Sequence, residues 1–282
     1  MELSLNQATT RPYPLTKTAE AASAAGIRNI GLWLEPVADL GVQATKSLLS
    51  DTGLTPTSMC RSGFVADKSA AELDTVLSAV KRDLDLCAEV GAPYLTFIAG
   101  GLPEDDRSVA NAEGRVRDAL AQLLPHAQET GVRLALEPLH PLFVTDRSIV
   151  TTIDQALRVV ADLDSSSIGV LVDAWATFWD PDISAALGRA GAAGRLFGYQ
   201  VNDFALPLPL PENMNGRVMP GDGLIDLAAL TEDVLAAGYS DPIEVEVFNE
   251  DIWTLPLEEI ISQVVDTFDR SIAAPLSRTE VH

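Results

Sequence analysis

The sequence predicts a single α/β domain, one (β/α)8 TIM barrel spanning residues 1–282. Three observations predict it. Eight short β-rich runs alternate with longer Ala- and Leu-rich helical patterns, which argues for βαβ units around a parallel sheet. Five helix–strand joints carry the same Gly punctuation. A chain of 282 residues, 47% of them apolar, suits one large barrel with a sizeable core.

The β-rich runs are Glu2–Asn6, Asn29–Leu34, Thr55–Cys60, Tyr94–Ala99, Arg133–Pro138, Ile168–Asp173, Arg195–Val201 and Ile243–Phe248. Helices are expected at about Leu15–Ala25, Val37–Asp51, Ser69–Val90, Ser108–Thr130, Thr152–Asp162, Asp182–Arg189, Leu227–Ala237 and Leu257–Ile272. The joints read Ala-Gly-Ile at 25–27, Thr-Gly-Leu at 52–54, Val-Gly-Ala at 90–92, Thr-Gly-Val at 130–132 and Ala-Gly-Tyr at 237–239. A Gly just past a helix supplies the left-handed cap that turns the chain into the next strand. Ser69, Ser108 and Asp182 stand where N-caps are needed. The longest irregular stretch, 204–223, is rich in Pro and Leu and is expected to form a lid over the barrel mouth. Residues 275–282 are expected to be a flexible tail.

Composition narrows the function classes. The net charge of −22 repels nucleic-acid phosphates and anionic membranes, which leaves a small molecule as the expected partner. No apolar run approaches the roughly 20 residues of a membrane span. The N-terminus lacks the basic and apolar regions of a signal peptide, so a cytoplasmic location is expected. Two cysteines, Cys60 and Cys87, form no C-x-x-C pair, and the three His residues are too few for a His-rich metal site.

Acidic residues carry the chemistry. Side chains alternate along a strand, and the last inward residue of each barrel strand faces the active site. In the run 133–137, Leu134 and Leu136 suit the helix-packing side, so Glu137 points inward at the strand's end. The run 168–173 is apolar until Asp173. In the run 243–247, Glu244 and Glu246 share a face, with Glu246 nearer the mouth. Glu244 is expected to pair with Arg133, which is also inward and deep. Glu137, Asp173 and Glu246 thus converge, and either some are protonated or a cation neutralises them.

In these residues the chain resembles the xylose isomerase-like barrels of the sugar phosphate isomerase/epimerase superfamily, which include inosose isomerases and ketohexose 3-epimerases. The resembling stretches are Gly31-Leu32-Trp33, Cys60-Arg61-Ser62-Gly63-Phe64, Leu136-Glu137-Pro138-Leu139-His140-Pro141, Asp146-Arg147-Ser148, Val172-Asp173, Val201-Asn202-Asp203, Gly221-Asp222-Gly223 and the run 243–248. The resemblance implies one divalent metal held by Glu137, Asp173, Gln200 and Glu246. Gln200 stands where the family has a His, and Ala176 where it has a second His. The implied donor set is all oxygen, which suits Mg2+ or Mn2+ better than Zn2+. The alternative is that the metal is gone and the acids are partly protonated.

The resemblance also implies proton transfer next to a carbonyl of a small polyol, keto sugar or sugar-derived compound, with Glu137 and Glu246 as base and acid. His140 and Arg217 are the expected substrate contacts, with Trp33, Phe64 and Trp175 as an apolar wall. For His140 a loop-ordering hydrogen bond is the alternative, and for Arg217 a salt bridge. Family members often pair, which makes a homodimer the implied assembly. Two other readings stand beside this one. The barrel is repurposed for elimination, cyclisation or rearrangement of a less polar intermediate, or it is a non-catalytic binding protein.

Overall fold

The structure is a computed structural model that describes residues 1–163, 166–207 and 216–279. Its strands are β1 (Leu3–Asn6), β2 (Asn29–Trp33), β3 (Thr55–Gly63), β4 (Tyr94–Ile98), β5 (Arg133–Glu137), β6 (Ile168–Asp173), β7 (Leu196–Val201), β8 (Asp203–Phe204), β9 (Arg217–Val218) and β10 (Ile243–Val245). Eight of them close into a barrel in the order β1-β10-β7-β6-β5-β4-β3-β2, every neighbouring pair parallel. The short β8 and β9 pair antiparallel as a ribbon outside the barrel.

The five punctuating glycines all take positive φ, from 67° at Gly53 to 92° at Gly238. Each ends its helix as a left-handed cap. Ser69 forms a capping box with Glu72, and the Ser108 hydroxyl accepts from Asn111 N–H at 3.2 Å. Asp182 does not cap with its side chain; its own N–H donates to the Asp180 carboxylate at 2.9 Å instead. The single helix expected over 37–51 is two, α2 (Leu34–Leu40) and α3 (Val42–Thr52). Gly41, at φ 86°, breaks them apart.

Alternation sorts the strand residues into two layers. Leu134 and Leu136 pack outward with the helices, as expected. Ala135 points inward and joins Tyr94, Leu171 and Phe197 in a separate cluster inside the barrel. The Arg133 guanidinium lies 4.5 Å over the Phe197 ring. It forms no ion pair with Glu244 among the described residues, because Glu244 sits higher and finds neutral partners there. β10 is shorter than expected and ends at Val245, so Glu246 stands just past the regular strand.

The middle of the expected lid, 208–215, lies outside the described residues. Its base is rigidly tied down. Asp203 is fully buried, and its carboxylate accepts from four backbone N–H groups. Phe204 and Ile225 donate to Oδ1, and Gly221 and Gly223 to Oδ2, at 2.8–3.0 Å. Arg217 is thereby held over the barrel, paired in register with Phe204. The expected tail is helical as far as Thr279, in α11 (Ala274–Thr279), and Leu276 packs into the core. Residues 280–282 lie outside the described part. Among the described residues no helix is long and apolar enough to cross a membrane.

Asp203→Ala would leave the backbone N–H groups of Phe204, Gly221, Gly223 and Ile225 without their acceptor. It is expected to cost about 3 kcal/mol, read as a shift in urea midpoint without loss of the barrel's circular dichroism. A change below about 0.5 kcal/mol would show that the loop base is held by something else.

Candidate active site

Sheet register brings the inward residues of β6, β7 and β10 to one level. Asp173 pairs with Gln200, and Gln200 pairs with Glu244. Glu246 lies two residues above Glu244 on the same face. Glu137 ends β5 opposite Ile98. All five polar residues are buried.

Glu244 forms the floor. Its carboxylate accepts from Asn6 Nδ2 (2.6 Å) and Gln200 Nε2 (2.7 Å) on Oε1, and from Thr57 and Ser58 hydroxyls (both 2.8 Å) on Oε2. This is a carboxylate satisfied without a cation. Gly31 is required beside it, since a Cβ there would stand 2.4 Å from Oε2. Asn6 also accepts from Trp33 Nε1 at 2.8 Å, so the same network orients the first aromatic wall.

Asp173 is held next. As N-cap of α7 (Ala174–Thr177), it accepts from the Ala176 N–H at 2.9 Å. Asn202 donates to its other oxygen at 3.1 Å and to the Glu246 carbonyl at 2.9 Å. Asn202 thus clamps three strand ends together. Arg217 Nη2 approaches Asp173 Oδ2 at 3.9 Å.

Above these residues opens a cavity of about 270 Å³. Glu137 and Glu246 face it, together with Trp33, Phe64 and Arg217 from the expected set. Asp173 and Gln200 lie beneath its floor. His140 and Trp175 stand behind the lining rather than in it. His140 Nδ1 accepts from Leu142 N–H at 3.3 Å, which is the loop-ordering role. Burial, with Arg217 close by, pushes the His140 pKa down. Trp175 is fully buried, and its ring backs Arg217, whose guanidinium lies 4.7 Å from the ring centre. Phe248 takes the opposing position at 5.1 Å.

Burial pushes the Glu137 carboxyl up to about 8; the Asp173 charge adds to this, while Arg217 and Arg61 oppose it. The Glu246 carboxyl is also raised well above the usual range, first by burial and then by Glu137 and Asp173. Cys60, between Glu246 and Thr96, is pushed up by burial and stays a thiol.

Sequence reasoning passed over Asn202, Asp203 and three more cavity arginines, Arg11, Arg61 and Arg147. Asn202, Asp203, Arg61 and Arg147 all lie inside motifs that were recognisable as stretches. Their roles depend on contacts across the barrel that spacing does not encode.

The chain belongs to the xylose isomerase-like TIM barrel family, whose sequence pattern matches residues 19–271. Protein SMc04130 of Sinorhizobium meliloti 1021 has the same fold at TM-score 0.91 and 33% identity, over 96% of this chain and 98% of that one. The IOLI protein, whose structure carries a zinc atom, superposes at TM-score 0.82 and 22% identity, over 96% and 98% of the two chains. An inosose isomerase of Bacillus subtilis strain 168 is 26% identical over 197 residues, 68% of this chain and 67% of that protein.

A metal of the family's kind fits the residues present, on one condition. Among the described residues no three His, Cys, Asp or Glu side chains are gathered closely enough to hold an ion unaided. The additional donor is the Gln200 amide oxygen, which is buried and has no hydrogen-bond partner among the described residues. A buried acceptor with no donor is uncommon, and a hard cation satisfies it. Arg217 poses the same question from the cationic side. It is 4% exposed, and its Nε and Nη1 atoms have no hydrogen-bond partner among the described residues. Stacking on two rings contributes up to about 2 kcal/mol per desolvated contact. Two unmet buried donors of a charged group cost about as much or more.

A carboxyl with a raised pKa keeps its proton in the folded chain after the unfolded chain has lost it. From pH 4.5 to about 8 the folded state therefore binds more protons, and stability falls as pH rises. In chelator-treated protein, urea midpoints are expected to drop across pH 5.5 to 8. The slope is about 1 kcal/mol per pH unit, and Glu137→Gln should flatten it. An identical slope in the variant would contradict the assignment to Glu137.

Proposed function

We propose that this chain is an isomerase or epimerase that moves a proton at a carbon next to the carbonyl of a small polyol, keto sugar or sugar-derived compound. One observation carries the reading. Two buried carboxyl groups, Glu137 and Glu246, face a single small cavity, and neither is fixed by an ion pair among the described residues. Burial raises both carboxyls above the ordinary range, and Glu137, at about 8, lies near neutral pH, where a group serves as acid or as base. The inosose isomerase relative supports the reaction class, since it carries a matching name on a chain of matching core.

In this mechanism the ionised member of the pair removes the proton from carbon. The protonated member returns one from the other side of the substrate, and ionisation of both at once is opposed by their mutual repulsion. Arg217 places positive charge beside the acids, which favours the ionised form of either one. Cys60, Trp33, Phe64 and Phe248 form the less polar part of the cavity wall. Glu137, Asp173, Gln200 and Glu246 would hold a divalent ion, Mg2+ or Mn2+ for this oxygen donor set, and such an ion when bound polarises a carbonyl as a Lewis acid. Asn202 and the Ala176 N–H keep Asp173 in place for that role.

Incubation with an inosose, a set of ketohexoses and their carboxylate and phosphate derivatives in D2O, with Mg2+ or Mn2+ added, tests this by NMR. Deuterium is expected at the carbon next to the carbonyl for at least one compound, and Glu137→Gln and Glu246→Gln should each slow it about 100-fold or more. Wild-type protein that exchanges none of them, or variants that exchange as fast as wild type, would overturn the proposal. Release of water from the substrate in place of exchange would favour elimination.

A further inference from the structure

The cavity has a second chemical character that proton transfer does not use. Four arginines line it, Arg11, Arg61, Arg147 and Arg217, although the chain holds only 19 basic residues against 41 acidic ones. Each guanidinium lies over an aromatic ring: Arg11 over Trp253, Arg61 over Trp33 and Phe64, Arg147 over Phe143, and Arg217 over Trp175 and Phe248. Rings fix the plane of a guanidinium without using up its N–H groups.

Those N–H groups are left available. Arg61 and Arg11 form no ion pair among the described residues, and Arg147 reaches only the neighbouring Asp146, at 3.9 Å. Arg217 is the decisive case. It is 4% exposed, it borders the cavity, and both Nε and Nη1 lack a partner, while Nη2 alone approaches Asp173. Had Arg217 served only as counter-charge to the acids below, its remaining donors would be expected to meet protein acceptors, as buried donors do. They meet none among the described residues, and they sit at the wall of an open cavity.

We infer that the substrate bears an oxyanion, a carboxylate or a phosphate, bound by Arg217 with Arg61 beside it. This rests on the proposed reaction for the substrate's other end, which meets Glu137 and Glu246. Guanidinium forks match the planar or tetrahedral oxygens of either group, often with two parallel bonds. Neutral polyols offer no charge to match the buried Arg217 and the half-buried Arg61. The arrangement therefore selects against the uncharged sugars that would otherwise suit the cavity.

Three probes with one carbon skeleton separate the possibilities: glucitol, gluconate and glucitol 6-phosphate. Their binding is measured by calorimetry on the full chain with Mg2+ present, at low and high NaCl. At least one anionic probe is expected to bind about tenfold tighter than glucitol, with the gap narrowing as salt rises. Which anion wins distinguishes a carboxylate from a phosphate. Arg217→Gln should abolish the preference. Arg61→Gln, at a half-buried site, should reduce it at least severalfold and keeps the test intact where Arg217→Gln fails to fold. Glucitol binding as tightly as both anions, no binding of either anion, or an unchanged preference in Arg61→Gln with folded Arg217→Gln also unchanged would overturn the inference. Lost proton exchange with a retained preference for anions would instead count against the reaction alone.

Discussion

Three carboxyl groups share the buried upper end of this barrel, and the surrounding residues are arranged around the cost of keeping them there. Little of their surface meets water, so charge must be met by hydrogen bonds, by opposite charge or by protons. Each of the acids is met differently. Asp173 receives fixed donors from Ala176 and Asn202. Glu244, one level down, receives four neutral donors and needs nothing else. Glu137 and Glu246 receive no such set among the described residues, and they are the two whose pKa values rise. For Glu137 the rise from 4.5 to about 8 corresponds to roughly 5 kcal/mol of differential stabilisation of its protonated form. Stability is given up at the two positions that face the cavity, which is the pattern of a site shaped for chemistry.

The support for this site reaches far from the chemistry. Asp203 fixes the loop base by four backbone amides, and that base carries Arg217 over the acids. Trp175 and Phe248 then hold the guanidinium from two sides. Asn6 links the floor carboxylate to Trp33, so the apolar wall and the buried charge are set by one side chain. The rigid barrel places side chains at strand ends, while the ribbon of β8 and β9 delivers the cation. Positive and negative groups come from different elements, and they meet only at the mouth.

The fold was readable because its determinants are local. Glycines at five joints, alternation in short runs and helix caps at Ser69 and Ser108 all act within a few residues. The break at Gly41 is local too, yet the apolar pattern runs through it and hides it. Glu137, Asp173 and Glu246 could be placed because strand alternation decides which way a side chain points. Gln200 could be placed but not explained, since its Nε2 donates to Glu244 on a strand 44 residues away. Trp175 and His140 do not line the cavity, for a related reason. Both follow the end of a strand, but the turns after β5 and β6 rotate them away from the cavity. Arg61 lay in plain sight in Cys60-Arg61-Ser62, and only the ring contacts show that it faces the same space as Arg217.

The central claim is that burial and crowding keep a proton on Glu137 near neutral pH. Carbon-13 NMR of protein labelled at the glutamate side-chain carboxyl carbon measures this directly, with Glu137→Gln supplying the assignment and a chelator keeping the protein free of metal. A resonance that titrates with a midpoint near 8 is the predicted result. A Glu137 carboxyl that titrates near 4.5, the ordinary value, would contradict the account.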